Sequence, residues 1–105
     1  MSSNPSMGLT VVRQQIDELQ TLEQQTLQDL NTVAGTERIA KWKARTVALI
    51  TNTVGHQEGQ AFAGVHPGQS FTNDLLEEFT DLVECYRTPL KALAKRLAQA
   101  LPTGS

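Results

Sequence analysis

The C-terminal third of the chain carries apolar residues at intervals of three or four, the spacing of one face of an α-helix. The series is Leu75, Phe79, Leu82, Tyr86, Leu90, Leu93, Leu97 and Leu101. It predicts one long helix over 71–101, capped at its start by Ser70 or Thr72. Pro89 lies within the series, and because proline lacks an amide hydrogen we expect a kink there in a continuous helix. A face of this length needs other helices to cover it.

Two earlier segments repeat the helical spacing and are predicted to supply that cover. The first, over 9–33, has the apolar series Leu9, Val12, Ile16, Leu19, Leu27, Leu30 and Val33. Gly35 is expected to end it, because glycine readily takes the left-handed conformation at a helix C-terminus. Thr36 would then cap a second helix over 37–54. That helix has Ile39, Trp42 and Ile50 on one face.

A loop over 55–70 joins the second helix to the last one. It holds four of the seven glycines, one proline and both histidines, a composition typical of irregular structure. A short helix over 57–63 would point Phe62 into the core. The predicted fold is therefore all-α, an antiparallel bundle of three main helices, with a flexible tail at 1–7, a single helical domain at 8–101 and a second tail at 102–105.

Composition and charge restrict the classes of function that fit this sequence. The net charge is −2, whereas a nucleic-acid-binding domain is expected to be basic. A single cysteine, Cys85, excludes an intramolecular disulfide and fits a reducing compartment. No apolar run is long enough to span a bilayer, and the N-terminus lacks the basic and apolar regions of a signal peptide. These features predict a cytoplasmic protein that does not bind membranes.

Catalytic, cofactor and metal sites are not expected. His56, His66 and Glu58 match no zinc-ligand spacing. Cys85 falls in the middle of a helix, away from a helix N-terminus that would lower its pKa, which indicates an inert thiol. The glycines form neither a dinucleotide-binding nor a phosphate-binding motif. We therefore predict a non-enzymatic protein.

A basic cluster in the second helix offers one alternative. Arg38, Lys41, Lys43 and Arg45 surround Trp42 and would permit weak nucleic-acid binding. On a helix, however, these side chains point in different directions. We expect them to pair with acids of the neighbouring helices or to remain in solvent.

Association through helices is the function that the pattern favours. We predict a protein–protein interaction or self-association module, with a protein partner or a homodimer. The predicted interaction residues are Leu19, Leu27, Trp42, Phe62, Leu82, Tyr86 and Leu90. The alternative is a small-ligand or regulatory binding domain that uses the glycine-rich loop 55–70 and Trp42.

One stretch resembles a known type of sequence. Trp42, Thr46 and Leu49 form a W-x3-T-x2-L pattern, followed by Gly55 and Phe62. The pattern is similar to a poorly characterised helical region of bacterial multidomain proteins, often placed ahead of an effector domain such as a TIR-like or nucleotide-binding module. No such domain follows in this sequence, so the resemblance implies a stand-alone or excised helical adaptor, without catalytic residues of its own.

Overall fold

The computed structural model describes residues 5–68 and 73–101. These residues form four helices: α1 Pro5–Asp29, α2 Thr32–Thr53, α3 His56–Ala63 and α4 Leu75–Ala100. The described part of the chain has no strand, and 87% of it is helical, which confirms the all-α class and the three main helices. The short helix in the loop is also present. α4 is one continuous helix through Pro89.

The break between the first two helices lies earlier than the sequence predicted. α1 ends at Asp29, and Leu30 takes a left-handed conformation with φ 56°. Asn31 then caps α2, its side-chain oxygen accepting a hydrogen bond of 3.0 Å from the amide of Ala34. The prediction that Gly35 ends the first helix and Thr36 caps the second is therefore wrong. Both residues lie inside α2, where Gly35 is buried.

The other predicted boundaries also shift. α1 begins at Pro5, a favourable first helical residue, so residues 5–7 of the predicted tail belong to the helix. Residues 1–4 and 102–105 lie outside the described residues. α4 begins at Leu75, and the carboxylate of Asp74 accepts hydrogen bonds from the amides of Leu76 and Glu77. Ser70 and Thr72, the predicted caps, lie outside the described residues.

The directions of the helices explain the long loop. α1 runs antiparallel to α2, because Glu18 pairs with Arg45 and Asp29 with Arg38. It also runs antiparallel to α4, where Glu23 pairs with Arg87. α2 and α4 are consequently parallel, as the contact between Trp42 and Tyr86 illustrates. α4 therefore begins at the same end of the bundle as α2, and α3 lies between the two helices in sequence.

The core lies along the line where α1, α2 and α4 meet. Its fully buried side chains include Val12, Leu19, Ile39, Trp42, Ile50, Val83 and Leu90. Among the described residues, three polar side chains are buried with them: Gln15, Thr26 and Thr46. The Thr26 hydroxyl donates to the carbonyl of Leu22 at 2.9 Å, and the Thr46 hydroxyl lies 2.9 Å from Oε1 of Gln15. Because both hydroxyl groups have a hydrogen-bond partner, their burial carries little free-energy penalty.

Candidate functional site

Most of the predicted interaction residues belong to the core. Leu19, Trp42 and Leu90 have no exposed surface, and Phe62 and Tyr86 are 4% and 6% exposed. These five side chains contact the chain's own helices and have no surface left for a partner. Leu27 and Leu82 differ: Leu27 is 42% exposed and Leu82 is half-buried.

Trp42, Phe62 and Tyr86 form an aromatic cluster that joins α2, α3 and α4. The ring centroids of Trp42 lie 5.9 Å from Phe62 and 6.0 Å from Tyr86. The indole Nε1 of Trp42 donates a hydrogen bond of 3.1 Å to the backbone carbonyl of Gln15. A small ligand could not stack on Trp42 without opening this cluster, so the structure does not offer that tryptophan as a binding surface.

The basic cluster on α2 is dispersed. Arg38 lies 3.6 Å from Asp29, and Arg45 lies 2.7 Å from Glu18, both on α1. Lys43 points towards α3 and α4, where its Nζ donates to the carbonyl of Val65 at 2.7 Å and lies 5.0 Å from the centre of the Tyr86 ring. Lys41 is exposed. The four bases therefore form no continuous patch, as their spacing on the helix predicted.

The glycine-rich loop contributes packing as well as a turn. A Cβ atom at Gly59 would lie 3.0 Å from Cβ of Thr51, so glycine at this position lets α3 lie directly against α2. His56 and His66 are exposed. Over residues 5–68 and 73–101, no three histidine, cysteine or acidic side chains are grouped so that they could hold a metal ion. Residues 69 and 70 of the predicted loop lie outside the described range.

An open groove lies between the N-terminal halves of α2 and α4, and we call it the α2–α4 groove. Its volume is about 700 Å³. Its lining on α2 is Thr32, Val33, Thr36 and Glu37, and its lining on α4 is Leu75, Glu78, Phe79, Asp81, Leu82 and Cys85, with Pro67 and Gly68 at one edge. Phe79 is buried, and Leu82 and Cys85 are half-buried, so these three form an apolar floor.

The groove exists because α3 is short. α2 and α4 contact each other less than either contacts α1. In the half near the end of α2, α3 packs against α2, and its Phe62 side chain contacts both Trp42 and Tyr86. α3 ends at Ala63, and no helix follows it along the described residues 64–68. The other half of the space is left open as the groove.

The rims of the groove are acidic. Glu37, Glu78 and Asp81 are exposed carboxylates, and no lysine or arginine lines the groove. None of the three forms an ion pair within the described residues. Five other acids do pair with arginines, and all five lie outside the groove: Glu18, Glu23, Asp29, Glu58 and Glu84. The groove therefore carries a local excess of negative charge.

Cys85 on the groove floor is a poor nucleophile. Burial raises the pKa of its thiol, and the nearby charge of Lys43 opposes that rise without cancelling it. Because the thiolate is the reactive form, the raised pKa keeps the thiol protonated near neutral pH. This agrees with the predicted inert cysteine, although the side chain is half-buried rather than enclosed.

Four exposed apolar side chains lie at the same end of the bundle as the groove, and two of them line it. The exposed large apolar residues among those described are Met7, Leu27, Leu30, Val33 and Leu75. Val33 and Leu75, 71% and 64% exposed, line the groove itself. Leu27 and Leu30 precede the turn into α2 at this end, and Met7 lies at the opposite end, near the start of α1. The apolar spacing predicts burial for Leu30, Val33 and Leu75, which are exposed, whereas Leu27 is a predicted interaction residue.

Comparison with known protein families, curated proteins and solved structures finds no match to this chain. The resemblance to a helical region of bacterial effector proteins therefore stays a prediction. Its pattern has a packing explanation, since Trp42, Thr46 and Phe62 are all buried in the core. None of the described helices is long and apolar enough to cross a membrane.

Proposed function

We propose that this chain is a non-enzymatic protein–protein interaction module, and that the α2–α4 groove is its binding surface. The observation that carries the proposal is the concentration of exposed large apolar side chains at one end of the bundle, beside an open groove with an apolar floor. Single exposed apolar residues are ordinary on protein surfaces, whereas an apolar group that lines one groove, as Val33, Leu75 and Leu82 do, is typical of binding sites.

The shape of the groove supports a polypeptide as the partner. It lies between two parallel helices, and farther along the bundle the Phe62 side chain of α3 packs between the same two helices. A helix laid into a groove through residues spaced three and four apart is a common mode of peptide recognition. Leu27 and Leu30 are exposed at the same end of the bundle but do not line the groove.

The small-ligand alternative has less support. It depends on Trp42, whose ring is fully buried, and on the loop 55–70, where Pro67 and Gly68 are the only described residues that line the groove. A compact ligand would also leave Leu27 and Leu30 exposed. The observed distribution of apolar surface suits a partner that covers a wider area.

The proposal can be tested by making the exposed apolar residues polar while leaving the core intact. Val33→Gln and Leu75→Gln would be combined in one variant, and Met7→Gln at the opposite end of the bundle is the matched control. Each protein would be immobilised and exposed to lysate of the organism that encodes it, with retained proteins quantified by mass spectrometry. We expect wild type and M7Q to retain the same protein and the V33Q/L75Q variant to lose it. Equal retention by all three would contradict the proposal.

A further inference from the structure

The α2–α4 groove has dimensions that fit a short helix. Its wall on α4 runs from Leu75 to Cys85, which is about 15 Å of helix at 1.5 Å per residue. A partner helix of about three turns would span it. α3 shows how an apolar side chain enters the space between α2 and α4, because the Phe62 ring lies 5.9 Å from the ring centroids of both Trp42 and Tyr86.

The charge of the groove specifies what that helix must carry. Glu37 stands on the α2 side, and Glu78 and Asp81 stand on the α4 side. All five arginine ion pairs of the described residues lie elsewhere. Lys41, one turn beyond Glu37, does not line the groove. A partner with bases on both sides of its apolar stripe would meet an acid on each wall.

The N-termini of α2 and α4 also lie at this end and bring partial positive charge. At α4 the cap Asp74 and the first-turn acids Glu77 and Glu78 compensate this positive charge. At α2 the cap is the neutral Asn31. The helix ends therefore reduce the negative charge of the groove but leave Asp81, which lies beyond the first turn of α4, uncompensated.

A second copy of this chain fits the groove poorly. A symmetric dimer through the groove places the same patch on both subunits, so the acids Glu37, Glu78 and Asp81 of one subunit would face the acids of the other. Juxtaposed like charges at an interface are unfavourable. The complementary partner is a different protein with the opposite charge.

We propose that the α2–α4 groove binds a basic amphipathic helix of another protein. The apolar stripe of that helix would contact Val33, Leu75 and Leu82, and lysines or arginines on its two sides would pair with Glu37, Glu78 and Asp81. This inference rests on the proposed function, and it adds the chemical class of the partner.

The test is a selection from a displayed library of helical peptides of about 15 residues, randomised at surface positions, against the intact chain. Peptides that bind wild type but not the V33Q/L75Q variant are groove-dependent. We expect these peptides to combine an apolar stripe at helical spacing with a net positive charge. Groove-dependent peptides that are neutral or acidic would overturn the inference and leave the proposed function standing. An absence of groove-dependent peptides would overturn both.

The contribution of the carboxylates can be measured on one selected peptide by fluorescence anisotropy. The variant Glu37→Gln/Glu78→Gln/Asp81→Asn removes the three charges with little change of shape. We expect about a tenfold loss of affinity, from roughly a twofold loss for each exposed charge pair. Asp17→Asn is the matched control, because Asp17 is exposed and does not line the groove. An unchanged affinity in the triple variant, or an equal loss in D17N, would overturn the charge assignment.

Discussion

Gly35 of α2 lies so close to Thr26 of α1 that no side chain fits between them. A Cβ atom at Gly35 would lie 2.6 Å from Cγ2 of Thr26 and 2.9 Å from Cε1 of Phe79 on α4. Glycine thus allows three helices to converge just above the turn between α1 and α2. The hydroxyl of Thr26 is buried at this point and donates to its own helix, so the close approach leaves no unpaired polar group.

We predict that Gly35→Ala destabilises the protein. Alanine inside a helix normally stabilises by about 0.5–1 kcal/mol relative to glycine. Here the added methyl group overfills the contact, and overpacking costs about 1–3 kcal/mol, so the net change in unfolding free energy should be a loss of about 1–2 kcal/mol. Urea denaturation would measure it. Gly64→Ala, where the new Cβ makes ordinary contacts beyond 3.5 Å, is the control and should be close to neutral. A G35A variant as stable as wild type would contradict the close packing.

Gly35 also explains why the sequence predicts the break between α1 and α2 at the wrong position. A glycine that ends a helix and a glycine that permits close packing are indistinguishable in one sequence, and only the neighbouring helix decides between them. The true signal was Asn31, a residue type favoured both as a helix cap and near left-handed turns. It was obscured because Leu30 and Val33 continue the apolar spacing of α1 across the break.

The helical class and most of the core could be predicted because burial follows the three-to-four spacing. Trp42, Phe62 and Tyr86 follow this spacing and are buried, so they are not available to bind a partner. The groove could not be predicted from spacing. It depends on α2 and α4 running parallel and on α3 ending at Ala63, which are relations between helices and not properties of any one segment.

Leu30 is expected to be replaceable with a gain in stability. A leucine in the left-handed region costs about 1–2 kcal/mol, and Leu30 is 66% exposed, so little burial offsets the cost. Asparagine tolerates this conformation better. We predict that Leu30→Asn raises the unfolding free energy by about 0.5–1 kcal/mol in thermal or urea denaturation. The comparison variant is Leu27→Asn in the last turn of α1, where asparagine brings no such relief and should not stabilise. A less stable L30N variant would show that Leu30 contributes packing that outweighs its strain.

The ion pair between Glu23 of α1 and Arg87 of α4 should stabilise the bundle as a coupled unit. Arg87 Nη2 lies 2.5 Å from Glu23 Oε1, the two side chains are only 17% and 14% exposed, and Arg87 also pairs with Glu84. We expect Arg87→Met to cost about 1–3 kcal/mol, because it leaves the carboxylate of Glu23 half-buried without its partner.

A double-mutant cycle separates the pair from the packing of the arginine chain. If the ion pair contributes to stability, the double variant Glu23→Gln/Arg87→Met should lose less unfolding free energy than the sum of the losses in the two single variants. The exposed pair of Arg45 and Glu18 is the comparison, and its coupling should be smaller, within about 1 kcal/mol. Additive effects at Glu23 and Arg87 would contradict the expected coupling.

Stability should fall on the alkaline side because of two neighbouring residues of α4. Burial raises the pKa of the Cys85 thiol, and burial together with the charge of Cys85 raises the pKa of the Tyr86 hydroxyl. In both cases the folded state holds the proton more tightly than the unfolded state. The stabilisation is therefore complete below the unfolded pKa values, about 8.5 for cysteine and 10 for tyrosine, and is lost as the pH rises through the higher folded values. Urea denaturation between about pH 7 and 11 would measure the decline. The variant Cys85→Ala/Tyr86→Phe removes both titrating groups and keeps the aromatic ring. Its unfolding free energy should decline less steeply with pH than that of wild type. The titration of all other groups cancels in the difference between the two proteins. Parallel curves for the two proteins would show that these groups do not titrate differently on folding.

The Cys85 thiol also reports on occupancy of the α2–α4 groove, because it lies on the floor of that groove. When a peptide occupies the groove, we expect the thiol to react more slowly with a disulfide reagent.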